Sequence, residues 1–277
     1  MKKEAIRVIY NTRRQTSLKP WWKRLTVLHG VGLIFLIIFF TSLWQMPYDE
    51  RATDWLANVA RFGARLWPPD FSIWPEFVTA LGETMRIAVI ATMVAFVLSL
   101  PIALGASRNV APMWVSFTLR MFLNGIRTVP SLLWAIVAVA IWGITPWAGV
   151  AALTVYSVGY LGKFYSDAIE SVDLSVAYSL RGMGAHPIQA LQYGLWPMLK
   201  PLLWSQALWM LEYNIRSASI IGYVGAGGLG MLLNVYQDYY QWTKVSAVLI
   251  FLLFLVILLD VLGEWLRGKM NLPVHRR

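Results

Sequence analysis

Residues 175–201 read Ser-Val-Ala-Tyr-Ser-Leu-Arg-Gly-Met-Gly-Ala-His-Pro-Ile-Gln-Ala-Leu-Gln-Tyr-Gly-Leu-Trp-Pro-Met-Leu-Lys-Pro. This stretch mixes polar and apolar residues and stands between segments that are apolar enough for lipid, so we expect a loop outside the membrane. Gly184 suits the residue after a helix end, because glycine adopts positive φ without strain. Pro187 suits the first turn of a second helix, where its missing N–H costs no hydrogen bond. The stretch therefore predicts two short helices joined by a glycine turn.

The second of these helices is predicted to carry an apolar face made of Ile188, Leu191 and Leu195. Pro197 and Pro201 follow that face and are predicted to end the helix, because proline lacks the N–H that a helix interior needs. Two short helices held at a membrane surface by a glycine turn are suited to docking a soluble partner.

The pattern Gly-Ala-x-x-x-Gln-Ala, followed by one proline after six residues and another four residues later, resembles the cytoplasmic coupling loop of ABC-importer permeases. In that family the loop carries the signature Glu-Ala-Ala-(three residues)-Gly and sits in a groove on the ATPase subunit. Gly184 falls on the signature glycine. Tyr178, Ser179 and Leu180 fall on the first three positions, so the acidic residue is absent. The resemblance implies ATPase contact for Tyr178, Ser179, Arg181, Gly184, Ala185, His186 and Gln189.

The composition indicates a membrane protein. The chain has 277 residues, of which 58% are hydrophobic and only 14% are charged, and its mean hydropathy is positive. A soluble domain of this length would expose too much apolar surface, so we expect several membrane-spanning helices. There is no cysteine, which excludes disulfides and thiolate metal sites.

The net charge of +10 could indicate nucleic-acid binding, but its distribution favours another explanation. Most of the excess lies at the two ends of the chain, and residues 1–23 contain Glu4 as their single acid. This is the pattern of the positive-inside rule, so both termini are predicted to be cytoplasmic and no nucleic-acid partner is expected.

The first membrane span is predicted within Thr26–Met46, which is too long for a signal peptide and is followed by no small-residue cleavage site. An outer loop, residues 48–76, comes next. Trp55, Val59, Phe62 and Leu66 recur in it at helical spacing, which predicts a helix lying in the membrane interface.

The remaining spans follow from charge-free runs. Ile87–Ser107 is the second span, and Asn109–Gly125 returns with Arg108 and Arg120 on the inner side. Residues 128–162 are twice as long as one span requires. The cluster Gly143–Gly149 breaks this run into a helical pair with a tight outer turn.

The fifth span is predicted to begin near Leu202, and Val245–Leu259 is the sixth. The expected fold is therefore all-α, a polytopic membrane protein with about six transmembrane helices. Its predicted divisions are a basic cytoplasmic arm (1–26), a transmembrane domain (27–267) that includes a coupling loop (166–200) and a glycine-rich loop (222–230), and a cytoplasmic tail (268–277).

The glycine-rich loop matches the dinucleotide pattern G-x-G-x-x-G over Gly225–Gly230. That pattern is meaningful only between a strand and a helix of a βαβ unit, which this chain does not offer, so nucleotide binding is rejected. Two alternatives remain, a re-entrant or outer loop, or close helix packing through glycine. No G-x-x-x-x-G-K-[ST] stretch occurs, so the chain is predicted to bind no cofactor and to hydrolyse no ATP.

The stretch Glu212–Gly230 closely resembles phosphonate importer permeases, in which an acid, an asparagine and an arginine precede a Val-Gly-Ala-Gly-Gly-(Ile/Leu)-Gly run. The likeness extends over residues 76–267. Further matches in the same order are Glu83-Thr84, Arg127-Thr-Val-Pro130, Ala148-Gly149-Val150, Asp167-Ala-Ile-Glu170 and Asp260.

This resemblance implies a multi-pass permease of the bacterial inner membrane that moves a phosphonate, phosphite or related anion into the cytoplasm. It also implies a homodimer, two ATP-binding subunits that carry ATP and Mg, and a periplasmic or lipid-anchored substrate-binding protein. One alternative is an importer permease for another small solute, such as methionine. A secondary transporter or channel without an ATPase is another, and a membrane-bound enzyme ranks last because no catalytic constellation is visible.

Glu212 and Arg216 lie one helical turn apart on the fifth span, so their side chains can meet. They are predicted to form either a neutralised pair that fixes helix packing or an electropositive step for an oxyanion. In the second case Arg216 is steadied by Glu212 and flanked by Asn214 and Ser217. The predicted translocation path comprises Arg127, Glu212, Asn214, Arg216, Ser217, Gly225, Gly227 and Gly228.

Overall fold

The structure is a computed structural model that describes residues 27–46 and 54–269. The described residues form eleven α-helices and no β-strand. The helices are α1 (Val27–Gln45), α2 (Trp55–Leu66), α3 (Trp74–Ala106), α4 (Met113–Thr128), α5 (Ser131–Trp142), α6 (Pro146–Ser171), α7 (Ser175–Gly182), α8 (Pro187–Ala190), α9 (Trp196–Ile221), α10 (Gly228–Asp238) and α11 (Trp242–Lys269). The predicted arm (1–26) and residues 270–277 of the predicted tail lie outside this range.

The chain divides into two compact units, residues 1–60 and 61–277. In the first unit, α1 is apolar on all sides and its described side chains are exposed, as expected for a helix that faces lipid. In the second unit, the end of α2 packs on the start of α11. Phe62 meets Trp242 edge to face with centroids 5.2 Å apart, and Ser246 Oγ donates to the carbonyl of Leu66 at 2.7 Å.

Three described stretches are long and apolar enough to cross a membrane: Phe71–Ala106, Ile188–Asp238 and Trp242–Lys269. Helices α4 and α5 would form a fourth span if they are taken together, although the chain bends by 88° between them. The predicted tight turn is present, since α5 ends at Trp142, Gly143 has φ of +77° and α6 begins at Pro146, and its place on the outer side stays a prediction.

Helix α6 is the centre of the second unit, and α3, α4, α5 and α9 pack around it. Two glycines allow α4 to approach. A Cβ on Gly159 would lie 2.7 Å from Ile126 Cγ2, and one on Gly162 would lie 2.8 Å from Leu123 Cδ2. Close backbone approach through small residues is the usual means of helix association in lipid, where burial of apolar surface gives no driving force.

A buried hydrogen-bond group also holds the helices around α6 together. Asn214 on α9 is fully buried, and its Nδ2 donates to Thr92 Oγ1 and to Ser157 Oγ, both at 2.9 Å. These bonds join α9 to α3 and to α6. A buried amide needs such partners, because an unsatisfied polar group away from water costs on the order of 1–3 kcal/mol.

Two predicted helix boundaries are wrong. The second span does not begin at Ile87, because α3 starts at Trp74 and carries Glu83 within its length. Pro197 and Pro201 do not end a helix. A π-helical turn, Leu191–Leu195, leads directly into α9, in which Pro197 occupies the first turn. At that position a proline removes no hydrogen bond of α9. Pro201 lies inside α9, which continues past it to Ile221.

Candidate functional site

The glycine turn of the coupling loop has the predicted geometry. Gly184 has φ of +93°. Its N–H donates to the carbonyl of Arg181 at 3.0 Å, and the N–H of Ala185 donates to the carbonyl of Leu180 at 3.1 Å. This pair of bonds is the Schellman arrangement, which satisfies the last carbonyls of α7 and reverses the chain.

Both sides of this turn are fixed by local contacts. The N–H of His186 donates to Gln189 Oε1 at 2.9 Å, which caps the start of α8. Before α7, Asp173 accepts from the N–H and the hydroxyl of Ser175, and these hydrogen bonds hold the pKa of its carboxyl below the ordinary value. A Cβ on Gly194 would lie 3.2 Å from Ala177 Cα, so the two arms pack closely.

The coupling loop presents an apolar face that the rest of the described chain does not cover. Five large side chains on it are between 44% and 76% exposed: Tyr178, Met183, Ile188, Leu191 and Tyr193. The seven residues predicted to contact an ATPase all lie on this loop, and all except half-buried Ala185 are exposed. A contiguous exposed apolar face of this kind is typical of a protein–protein contact.

The base of the coupling loop is tied to the corner between α3 and α4. Glu170, near the end of α6, accepts from Arg120 Nη2 at 2.5 Å and from the N–H of Arg108 at 2.6 Å. Arg120 Nε also donates to the carbonyl of Ala106 at 2.8 Å. Asn109 Nδ2 donates to the carbonyl of Ile169 at 3.0 Å, so side-chain and backbone groups together join the base of the coupling loop to this corner.

The backbone of the glycine-rich loop is hydrogen-bonded to side chains of α3. Gly225, Gly227 and Gly228 all have positive φ. The N–H of Gly228 donates to Glu83 Oε2 at 2.8 Å, and the N–H of Leu229 donates to Thr84 Oγ1 at 2.9 Å. The donors at the start of α10, which could otherwise bind an anion, are thus occupied by side chains of α3.

The same loop is folded tightly on itself. A Cβ on Gly222 would lie 2.2 Å from the carbonyl oxygen of Gly227, and one on Gly230 would lie 2.1 Å from the carbonyl oxygen of Ser219. Of the two sequence-based alternatives, close packing through glycine describes this loop, and its place in a translocation path stays a prediction.

The predicted contact between Glu212 and Arg216 is not formed. Glu212 Oε1 accepts instead from Arg267 Nη1, and Arg216 Nη1 lies 3.4 Å from Asp260 Oδ1. Helix α11 packs against this side of α9, so Arg267 pairs with Glu212 and Asp260 pairs with Arg216. Two cross-helix ion pairs therefore replace the predicted pair within one helix.

Asn214 and Ser217 do not flank Arg216, because both are buried and successive residues of a helix are turned by about 100°. Asn214 belongs to the hydrogen-bond group with Thr92 and Ser157. Arg127 belongs neither to this hydrogen-bond group nor to the ion pairs with α11. It lies in the last turn of α4 with its guanidinium carbon 4.6 Å from the centre of the Tyr160 ring.

Several residues of these sites could not be assigned from the sequence. Glu83, Thr84 and Asp260 were recognised only as positions shared with phosphonate importer permeases, without a structural role. Arg267 stands only at the end of the predicted transmembrane domain (27–267), without a role. Hydrogen-bond partners that are 145 and 55 residues apart leave no local sequence pattern, so only the packing of the helices identifies them.

Comparison with known proteins gives a consistent result. Residues 98–272 match the family model described as "Binding-protein-dependent transport system inner membrane component". The chain is 34% identical to the phosphite transport system permease protein PtxC of Stutzerimonas stutzeri over 89% of this chain and 90% of that protein. It is 35% identical to the putative phosphite transport system permease protein HtxC of the same organism, over 86% and 84% of the two chains.

Among solved structures, an inward-facing form of the MetNI methionine ABC transporter matches with a TM-score of 0.64 and 24% identity. The match covers 73% of this chain and 100% of that one. It supports the prediction of an all-α, polytopic fold of the ABC-importer permease type.

We expect Arg267→Gln to lower the unfolding free energy of the purified protein by on the order of 3 kcal/mol, because the largely buried carboxylate of Glu212 would lose its partner. The double variant Glu212→Gln with Arg267→Gln should regain most of that loss. Thermal unfolding in detergent measures both. Lys269→Gln removes a charge from the same helix end, where the ammonium only covers the ring of Trp265, and should change little. Equal stability of Arg267→Gln and wild type would contradict the proposed importance of this ion pair.

Proposed function

Because the chain belongs to the family of binding-protein-dependent transport system inner membrane components, and is thus a multi-pass transport permease of the inner membrane, we propose that it moves a phosphorus oxyanion into the cytoplasm. Phosphite and phosphonates are the candidate solutes. The observation that carries this proposal is the 34% identity to a phosphite transport permease over about nine-tenths of both chains. The structural likeness to the methionine transporter, at 24% identity, bears on the fold and not on the solute.

The energy for transport comes, in this proposal, from a partner ATPase that docks on the coupling loop. The exposed face of Tyr178, Met183 and Ile188 provides the apolar contact, and Gly184 gives the loop a fixed shape without strain. The partner carries ATP and Mg, since this chain contains no phosphate-binding loop sequence. A substrate-binding protein on the opposite side of the membrane delivers the anion.

The proposed assembly is a pair of permease chains with two ATP-binding subunits. The pair consists of two copies of this chain, and a pair with a different permease is the alternative. When ATP closes the two ATPases, the coupling loops approach each other. The contact of Glu170 with Arg120 then transmits the movement of the coupling loop to α3 and α4. The hydrogen bond that Gly228 donates to Glu83 transmits it from α3 to the glycine-rich loop.

The proposed orientation places the coupling loop and the corner between α3 and α4 in the cytoplasm, together with both termini. Basic side chains gather on that side, among them Arg108, Arg120 and Lys163, as the positive-inside rule requires. The turn after α5 and the corner between α10 and α11 then lie on the outer side.

Reconstituted transport tests the solute. The complex of this chain, its ATPase and its binding protein is placed in proteoliposomes and supplied with phosphite, methylphosphonate, phosphate or methionine. We expect ATP-dependent uptake of at least one phosphorus oxyanion and none of methionine. Uptake without the ATPase would contradict the proposed ATP-driven mechanism. Uptake of methionine alone would contradict the proposal that the solute is a phosphorus oxyanion. The native mass of the purified complex shows whether two copies of this chain are present.

Gly184→Val tests the coupling loop. A β-branched side chain at φ of +93° costs on the order of 1–3 kcal/mol locally and would distort the turn. The variant should insert into the membrane normally but lose most solute-stimulated ATP hydrolysis. Gly182→Val is a matched control, because Gly182 has no positive φ and a Cβ there would meet nothing within 4 Å. Normal coupling in Gly184→Val would show that this turn does not transmit the signal.

Single cysteines test the orientation, because the natural chain contains none. Tyr239→Cys lies at the corner between α10 and α11, where the side chain is 73% exposed, and should react with an impermeant thiol reagent in spheroplasts. Val110→Cys lies between α3 and α4, at 52% exposure, and should react only after the membrane is permeabilised. The reverse result would invert the orientation and remove the coupling loop from the cytoplasm.

A further inference from the structure

Aromatic side chains line one face shared by α6 and α9. The rings of Tyr156 and Tyr213 stack with centroids 5.3 Å apart, and the hydroxyl of Tyr213 donates to that of Tyr156 at 2.8 Å. Tyr160 follows one turn along α6, 4.8 Å from Tyr156, and Trp209 stacks on Tyr213 at 6.0 Å. Tyr160 and Tyr213 are half-buried and Trp209 is 37% exposed, so part of this face is accessible from outside the chain.

Arg127 lies directly on this face. Its guanidinium carbon is 4.6 Å from the centre of the Tyr160 ring. Gly159 makes the approach possible, since a Cβ there would lie 3.2 Å from Arg127 Cγ. The packing of α4 against α6 therefore holds the guanidinium over Tyr160, whose ring contacts that of Tyr156.

The charge of Arg127 is not neutralised by a carboxylate. Arg120, Lys163, Arg216 and Arg267 each have an acidic partner, whereas no carboxylate of the described residues lies within ion-pair distance of Arg127. Its Nε is buried and has no hydrogen-bond partner among these residues. A donor with this much unused capacity points to a ligand.

The depth of this charge is informative. Tyr160 lies roughly 21 Å from Pro146 and roughly 17 Å from Ser171 along α6, at a rise of 1.5 Å per residue. Arg127 beside it is thus near the middle of α6, which lies largely within the charge-free run 128–162 that the sequence predicts to cross the membrane as a helical pair. A cation at that depth is unfavourable unless it faces water, a partner or a substrate.

We propose that Arg127, together with Tyr156, Tyr160 and Tyr213, forms an oxyanion-binding step in the translocation path. The planar guanidinium donates to two oxygens of a tetrahedral phosphorus oxyanion, and the hydroxyl of Tyr160 donates to a third. The ring of Tyr160 holds the guanidinium by cation–π contact. The step rests on the proposed function, because it assigns a place within this chain to the anion that the importer carries.

Charge-selective labelling tests the electrostatic part of this proposal in the assembled transporter. Trp209→Cys places the only thiol of the chain on the aromatic face. It should react about tenfold faster with a sulfonate-bearing methanethiosulfonate than with a trimethylammonium-bearing one, because the cation of Arg127 on the same aromatic face attracts one reagent and repels the other. Phosphite should slow the reaction. Adding Arg127→Gln should bring the two rates together and abolish the protection.

A cysteine at Leu253, an exposed position of α11, is the control for lipid exposure and should react with neither reagent. The absence of reaction at Trp209→Cys, with Tyr239→Cys reacting normally, would show that the aromatic face is covered and would overturn the proposal. Equal rates for the two reagents, or a preference that survives Arg127→Gln, would overturn it as well.

Measuring uptake by Arg127 variants distinguishes an anion-binding role of Arg127 from a structural one. Arg127→Gln should lower phosphite or phosphonate uptake by at least about tenfold, and Arg127→Lys should retain an intermediate rate because it keeps the charge without the planar donors. Copurification with the ATPase checks assembly, and Lys269→Gln is the charge-matched control. Full uptake in Arg127→Gln would refute the step alone. A wild-type complex that takes up no phosphorus oxyanion would refute the proposed function itself.

Discussion

Backbone polar groups inside a membrane need partners within the protein, because hydrocarbon offers none. The glycine-rich loop is the point where this constraint is most severe. It interrupts the helices between α9 and α10 and leaves the first N–H groups of α10 without helical acceptors. Glu83 and Thr84 supply those acceptors from α3. Together with Glu76, which accepts from the hydroxyl of Tyr236 at 2.6 Å, these two side chains hold α10 against α3.

A second consequence is that glycine serves packing and not flexibility. Gly159 and Gly162 admit α4 to the surface of α6, and Gly222 and Gly230 let the glycine-rich loop close on itself. Where helices come this close, van der Waals contact and a few buried hydrogen bonds, such as those of Asn214, replace the hydrophobic effect as the source of stability. The approach of α4 to α6 is also what holds Arg127 over Tyr160.

Glu212, Arg216 and Arg127 have two kinds of environment. Glu212 and Arg216 are neutralised by Arg267 and Asp260 of α11, which favours a packing role for both. Arg127 has aromatic rings and hydroxyls around it in place of a carboxylate. A neutralised cation has little to gain from a passing anion, whereas an unneutralised one at the same depth attracts it. The difference between paired and unpaired cations therefore decides which arginine is the better candidate for contact with the solute.

The sequence alone determined the features that depend on local chemistry. The glycine turn at Gly184 and the break between Trp142 and Pro146 follow from the conformational preferences of glycine and proline, which act within a few residues. The apolar composition indicated the all-α membrane class, and the Glu212–Gly230 stretch indicated the family. The prediction that Pro197 and Pro201 end a helix is wrong. Pro197 stands in the first turn of α9 and Pro201 inside it, and the residue type alone does not distinguish these positions from a helix end. Tertiary structure alone decided the partners of Glu212, Arg216 and Glu83, since an ionisable side chain in a membrane takes the nearest group that satisfies it. That group lies on another helix, many residues away, where no local pattern can indicate it.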